Sequence, residues 1–89
     1  MELGTIYVTR GVADQAENDP AFCAELSIIL FQYCAGDWGE ICRSDWLQND
    51  YAVTHSERIL GSYSTRAGKV WIITEWDRSA TTFLFPSEY

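Results

Sequence analysis

Glu75, Asp77 and Arg78, with Arg58 at the start of the run that should lie beside them, are the nearest this chain comes to a catalytic group. Two carboxylates among guanidinium groups can divide acid and base work, or serve phosphoryl chemistry, when burial splits their pKa values. The same residues equally describe a cross-strand ion pair with an aspartate capping a type I turn, and no nucleophile with a base beside it accompanies them. His55 is the only histidine. It lacks the HxxxH, HxE or Cys-His spacing of a metal site, so a helix C-terminal histidine favoured by the dipole is the simpler reading. Cys23, Cys34 and Cys42 are odd in number and have no CxxC spacing; they read as small apolar core residues in a reducing compartment. The six glycines form neither a GxGxxG nor a Walker loop, and no basic patch carries interleaved aromatics, which disfavours direct nucleic-acid binding. No catalytic residue, metal ligand or cofactor is therefore assigned, and the chain reads as a non-enzyme.

Charge carries more information. Between Gly11 and Asp50 lie eight acids, namely Asp14, Glu17, Asp19, Glu25, Asp37, Glu40, Asp45 and Asp50, against the single base Arg43, so this block holds the whole net charge of minus seven. Such segregation makes a directional field that attracts basic partners and repels nucleic acid and anionic membrane. Two readings stay open. The acids form a solvated face that keeps a small domain soluble, or they approach the density of duplex phosphates, which recur every ~1.7 Å of axis.

The elements that must position these residues follow from local signals. At 89 residues the chain should be a single domain, 1–89, burying a little over ~60% of its unfolded surface. Thr5 to Thr9 is β-branched and aromatic and predicts an opening strand, after which Val12 to Asn18 is polar and acidic. Asp19-Pro20 is an N-cap followed by proline at the first helical position, predicting a helix over about 20–34 with Phe22, Leu26, Ile29 and Tyr33 as its apolar stripe. Ile28 and Phe31 lie off that stripe, so this helix is either buried on two sides or open to a partner. A second helix should start at Ser44 or Asp45 and run to about Thr54, with Trp46, Leu47, Tyr51 and Val53 as the apolar positions that lay it over a sheet. Alternation then predicts strands over 58–64, 69–76 and 81–85. The expected fold is α+β: an antiparallel sheet of three to four strands with two helices on one face, in the order β-α-α-β-β-β.

Two surfaces are candidates for binding. In the first, Asp37, Glu40, Asp45 and Asp50 form a contact set with Trp38 or Trp46 as aromatic anchor. The turn Gly36-Asp37-Trp38-Gly39 has a structural alternative, in which Trp38 plugs the core beside a left-handed cap at Gly36. The second surface is a sheet face left uncovered by helices, where Trp71, Ile73 and Phe83 or Phe85 would join two copies in a homodimer. The N-terminus lacks a signal-peptide pattern and the longest apolar run, Leu26 to Phe31, is too short for a bilayer, giving an expectation of a cytoplasmic protein without membrane contact.

Val8-Thr9-Arg10-Gly11-Val12, Gly36-Asp37-Trp38-Gly39, Asn49-Asp50, the run from Arg58 to Tyr63 and the closing segment from Trp71 to Tyr89 together resemble a family of small proteins borne by bacterial plasmids and integrative elements, the plasmid-related proteins. The likeness covers nearly the full length and departs at Trp76, where a small residue is expected before the Asp-Arg turn. It implies no catalytic residues. By context it implies an anti-CRISPR-like or anti-restriction-like inhibitor whose partner is a protein subunit of a CRISPR or restriction complex, gripped in its basic nucleic-acid channel.

Overall fold

Asp19 Oδ1 accepts the Phe22 N–H at 3.3 Å, and from that cap the helix Pro20–Cys34 (α2) runs as the Asp-Pro signal predicts. A computed structural model describes residues 1–89, in which α2 lies across a four-stranded sheet. The elements are β1 (Thr5–Val8), α1 (Arg10–Asn18), α2, α3 (Arg43–His55), β2 (Ile59–Thr65), β3 (Gly68–Thr74), β4 (Ala80–Leu84) and a closing 3-10 turn, Pro86–Glu88. The order across the sheet is β1-β4-β3-β2. Phe22, Ile29 and Tyr33 from α2, Val12 from α1 and Ala52 from α3 meet Ile59, Tyr63, Val70, Ile72 and Phe83 from the sheet in one apolar core.

The α+β class stands, with two corrections. There are three helices, not two, and the sheet is mixed: β1 lies parallel to β4, while β2-β3 and β3-β4 are antiparallel. The extra helix, α1, occupies the stretch read as merely polar. Its N-terminal Gly11 N–H is taken at 3.0 Å by the Glu88 carboxylate, which also accepts from Thr9 Oγ1 at 2.7 Å. An anion at a helix N-terminus is stabilising, but here it arrives from 77 residues away. The parallel pairing follows from α1 and α2, which return the chain over the sheet so that β1 enters beside the last strand in the same direction.

Smaller shifts matter for the site. α3 begins at Arg43 with Cys42 as an unaided N-cap, and β3 stops at Thr74, leaving Trp76 outside the sheet and 63% exposed. The three cysteines are exposed, not core, because Cys23 and Cys34 lie on the outer flank of α2 and Cys42 at the N-cap of α3. Tyr33 Oη meets Thr74 Oγ1 at 2.6 Å, Thr74 meets Thr81 Oγ1 at 2.8 Å, and Thr81 donates to the Leu3 carbonyl at 2.7 Å. This buried relay ties α2, β3, β4 and the approach to β1, and burial pushes the Tyr33 phenol up to about 12. No helix is long and apolar enough to cross a membrane.

Candidate functional site

α2 ends in a Schellman turn: the Gly36 N–H bonds the Tyr33 carbonyl at 3.1 Å, the Asp37 N–H bonds the Gln32 carbonyl at 2.9 Å, and Gly36 has φ +82°. The turn delivers Trp38 into the core, where it is 1% exposed and meets Tyr33 edge-on at 5.3 Å between centroids. Its indole N–H, the one polar group a buried tryptophan must satisfy, donates to Asp50 at 2.9 Å. Trp38 is thus a core plug and not a partner's anchor. Trp46 is half-buried against the same core.

Three of the four acids chosen as a contact set hold this corner together. Asp37 Oδ1 accepts the Gly39 N–H at 3.0 Å and its Oδ2 takes Gln32 at 3.1 Å. Glu40 accepts the Ser64 N–H at 3.0 Å and pairs with Lys69 at 3.1 Å, and both contacts, the backbone one first, hold its carboxyl below the usual glutamate range. Asp50 holds Trp38. Asp45 alone makes no bond of this kind; it borders an open depression of about 320 Å³ with Ile41, Gln48, Asn49, Arg58 and Leu60.

The corner's joinery lies along the outer edge of β2. Asn49, buried, donates to the Leu60 carbonyl at 2.7 Å and accepts the Leu60 N–H at 3.4 Å. Ser62 donates to the Trp38 carbonyl at 3.0 Å and accepts the Glu40 N–H at 2.6 Å, a bridge that continues the sheet by one short step. Gly39 permits it: φ is +77° and a Cβ would run into the Ser62 carbonyl. Tyr63 Oη donates to the Asp37 carbonyl at 2.7 Å, and burial raises its pKa.

The eight acids do not converge. Asp14 and Glu17 belong to α1, Asp19 caps α2 and Glu25 lies in its first half; Asp19 pairs with Arg66 at 3.0 Å and Glu25 accepts the Arg66 N–H at 3.1 Å. Asp37, Asp45 and Asp50 lie beyond the other end of α2, whose fifteen residues span about 22 Å, while Glu40 reaches back along β2 to Ser64, two residues from Arg66. Arginine does little neutralising. Arg78 gives its guanidinium to the carbonyls of Ala52, Glu57 and Glu75 at 2.7, 2.7 and 3.0 Å, and Arg58 sits 5.2 Å over the Tyr89 ring. The expected Glu75–Arg78 and Arg58 ion pairs are therefore not formed; only Asp77 behaves as anticipated, accepting the Ser79 N–H at 3.0 Å as a turn cap. Only three carboxylates of the thirteen stand in ion pairs.

The self-association set fails as a single face. Ile72 pairs with Phe83, so Phe83 faces the helices while Trp71 and Ile73 face away. Phe83 and Ile73 are each 3% exposed, Phe85 packs on Phe22 at 6.0 Å, and Tyr89 leans edge-on over Trp71 at 5.6 Å. His55 does end α3, stacked 3.7 Å from Tyr51 with Nδ1 at 2.9 Å from the Tyr51 carbonyl. Sequence reasoning laid Leu47, Tyr51 and Val53 over the sheet, whereas all three are exposed, Leu47 and Tyr51 one helical turn apart on α3, and it did not recognise β1 as an open edge. Their signal was available: apolar side chains at i and i+4 off the buried side of a helix, and a β-branched strand at the end of a sheet. Compared with protein-family models, curated proteins and solved structures, the chain matches none of them.

Proposed function

We propose that this protein is a non-catalytic acidic inhibitor of a bacterial defence nuclease, CRISPR or restriction, that sets the exposed side of α3 into a basic nucleic-acid channel of a protein subunit. The observation that carries the reading is that one short helix, α3, holds both uncompensated charge and exposed apolar area: Asp45 bears no cation partner, Asp50 contacts only the Trp38 indole, and Leu47, three residues before Asp50, and Tyr51 stand exposed. Coulomb attraction to a basic channel speeds and orients the encounter, and burial of Leu47 and Tyr51 slows departure. The likeness to plasmid-borne proteins supplies the setting.

The test is protection in cells. Expression should raise plasmid establishment in a host with an active CRISPR or restriction system, and an Asp45→Lys/Leu47→Ala/Tyr51→Ala variant that still melts cooperatively should lose that effect. Complex formation with the target subunit should weaken steeply between low and high salt. Absence of protection against both system types, or equal protection by the variant, contradicts the reading. Asp37, Glu40 and Asp50 are unsuited to this test because reversing them damages the Trp38 corner.

A further inference from the structure

The last strand at one end of the sheet, β1, has no neighbour on its outer side. Thr5 and Thr9 donate to the Ser79 and Phe83 carbonyls, both at 3.0 Å, so the odd-numbered residues face β4 and the N–H and C=O groups of Ile6 and Val8 point away from the sheet. All four residues of β1 are exposed, Ile6 at 44% and Val8 at 47%. The side chains of Ile6 and Val8 form one wall of an apolar groove of about 160 Å³ whose other wall is Leu26, Ser27 and Leu30 of α2. None of the devices that protect a sheet edge is present in β1: no proline, no lysine, no bulge and no covering loop.

We infer that β1 is a homodimer interface, at which two copies join antiparallel, edge to edge, into one continuous eight-stranded sheet. Three observations favour a second copy over a foreign strand. The edge is self-complementary: with the two-fold axis at Tyr7, Ile6 of each copy faces Val8 of the other, so every outward N–H of the strand meets an outward C=O. The groove residues carry no charge, in a chain of net charge minus seven, so the edge is where two like-charged copies approach with least repulsion. The charges just beyond the strand also complement each other. Glu2 precedes β1 and Arg10 follows it, and Arg10 is 94% exposed with only a 3.9 Å contact to Asp14. Because the two strands run antiparallel, the Arg10 end of each copy lies toward the Glu2 end of the other.

This dimer does not depend on the inhibitor reading, since α3 lies at the opposite edge of the sheet. Sedimentation of the full chain across a concentration series should give a species of twice 10.2 kDa that dissociates on dilution. Val8→Lys should hold the chain monomeric at the same concentrations with its far-UV spectrum unchanged. Glu2→Arg and Arg10→Glu should each weaken association by roughly threefold at low salt, and the double swap should restore it. That rescue is a readout which a merely destabilised fold would not give. A wild type that stays monomeric at every concentration, a dimer that Val8→Lys leaves intact, or a charge swap without rescue overturns the proposal.

Discussion

The two edges of this sheet are treated in opposite ways. Along β2 the outward-facing groups are met almost throughout: the N–H and C=O of Leu60 by the Asn49 amide, those of Ser62 by the Trp38–Glu40 turn, and the Ser64 N–H by the Glu40 carboxylate. Along β1 the corresponding groups of Ile6 and Val8 face outward with no partner from the rest of the chain. An unpaired edge is a template for another strand. The difference teaches that the most distinctive residues of the chain, the Gly36-Asp37-Trp38-Gly39 turn and the Asn49-Asp50 pair, serve to close one edge, and that the plainest, Thr5 to Val8, leave the other available. Acidic residues on the closed side thus have two tasks, joinery for Asp37, Glu40 and Asp50 and free surface charge for Asp45.

The largest blow to the closed edge is Trp38→Ala. It empties a buried tryptophan site and strips Asp50 of its donor, and should cost about 3–5 kcal/mol in chemical denaturation, enough to unfold a marginal domain. Next comes the Tyr33 relay, which anchors the approach to the open edge. Because burial raises that phenol from 10 to about 12, the folded chain retains a proton that the unfolded chain has lost in this window. Stability should therefore be intact below pH 10 and fall as pH climbs toward 12, in melts recorded across that range. Tyr33→Phe should remove the slope that this group contributes.

Asn49→Leu sharpens the contrast, since it unmakes the Leu60 fork without emptying the site. It should cost about 1–3 kcal/mol, and by freeing part of the β2 edge it should let the chain form species larger than a dimer in sedimentation. The smallest thermodynamic effect belongs to Ile6→Lys. On a half-exposed edge residue the change should move monomer stability by no more than about 0.5 kcal/mol in denaturant titration, while abolishing association.

Much of this arrangement was legible in sequence where the signal is local. The Asp19-Pro20 cap and the Phe22–Tyr33 stripe define α2, and alternation from residue 58 onward gives three strands within one or two residues. What escaped depends on distant partners. α1 has no local cap and is completed by Glu88 from the far end of the chain, and the parallel entry of β1 depends on how two helices cross the sheet. Asp37, Glu40 and Asp50 look like free surface charge because the groups they hold, among them Trp38 and Ser64, are brought beside them only by the fold. Arg78 looks like an ion-pair partner because carbonyl acceptors leave no trace in side-chain composition. The split of Trp71 and Ile73 from Phe83 is a matter of register, in which one residue's offset changes the face.

Amide hydrogen exchange, resolved by residue and repeated at two protein concentrations, compares the two edges directly. Leu60, Ser62 and Ser64 should exchange slowly at both concentrations, whereas Ile6 and Val8 should exchange fast when dilute and become protected when concentrated. Fast exchange at Leu60 and Ser62, or Ile6 and Val8 amides whose exchange does not change with concentration, would contradict the account.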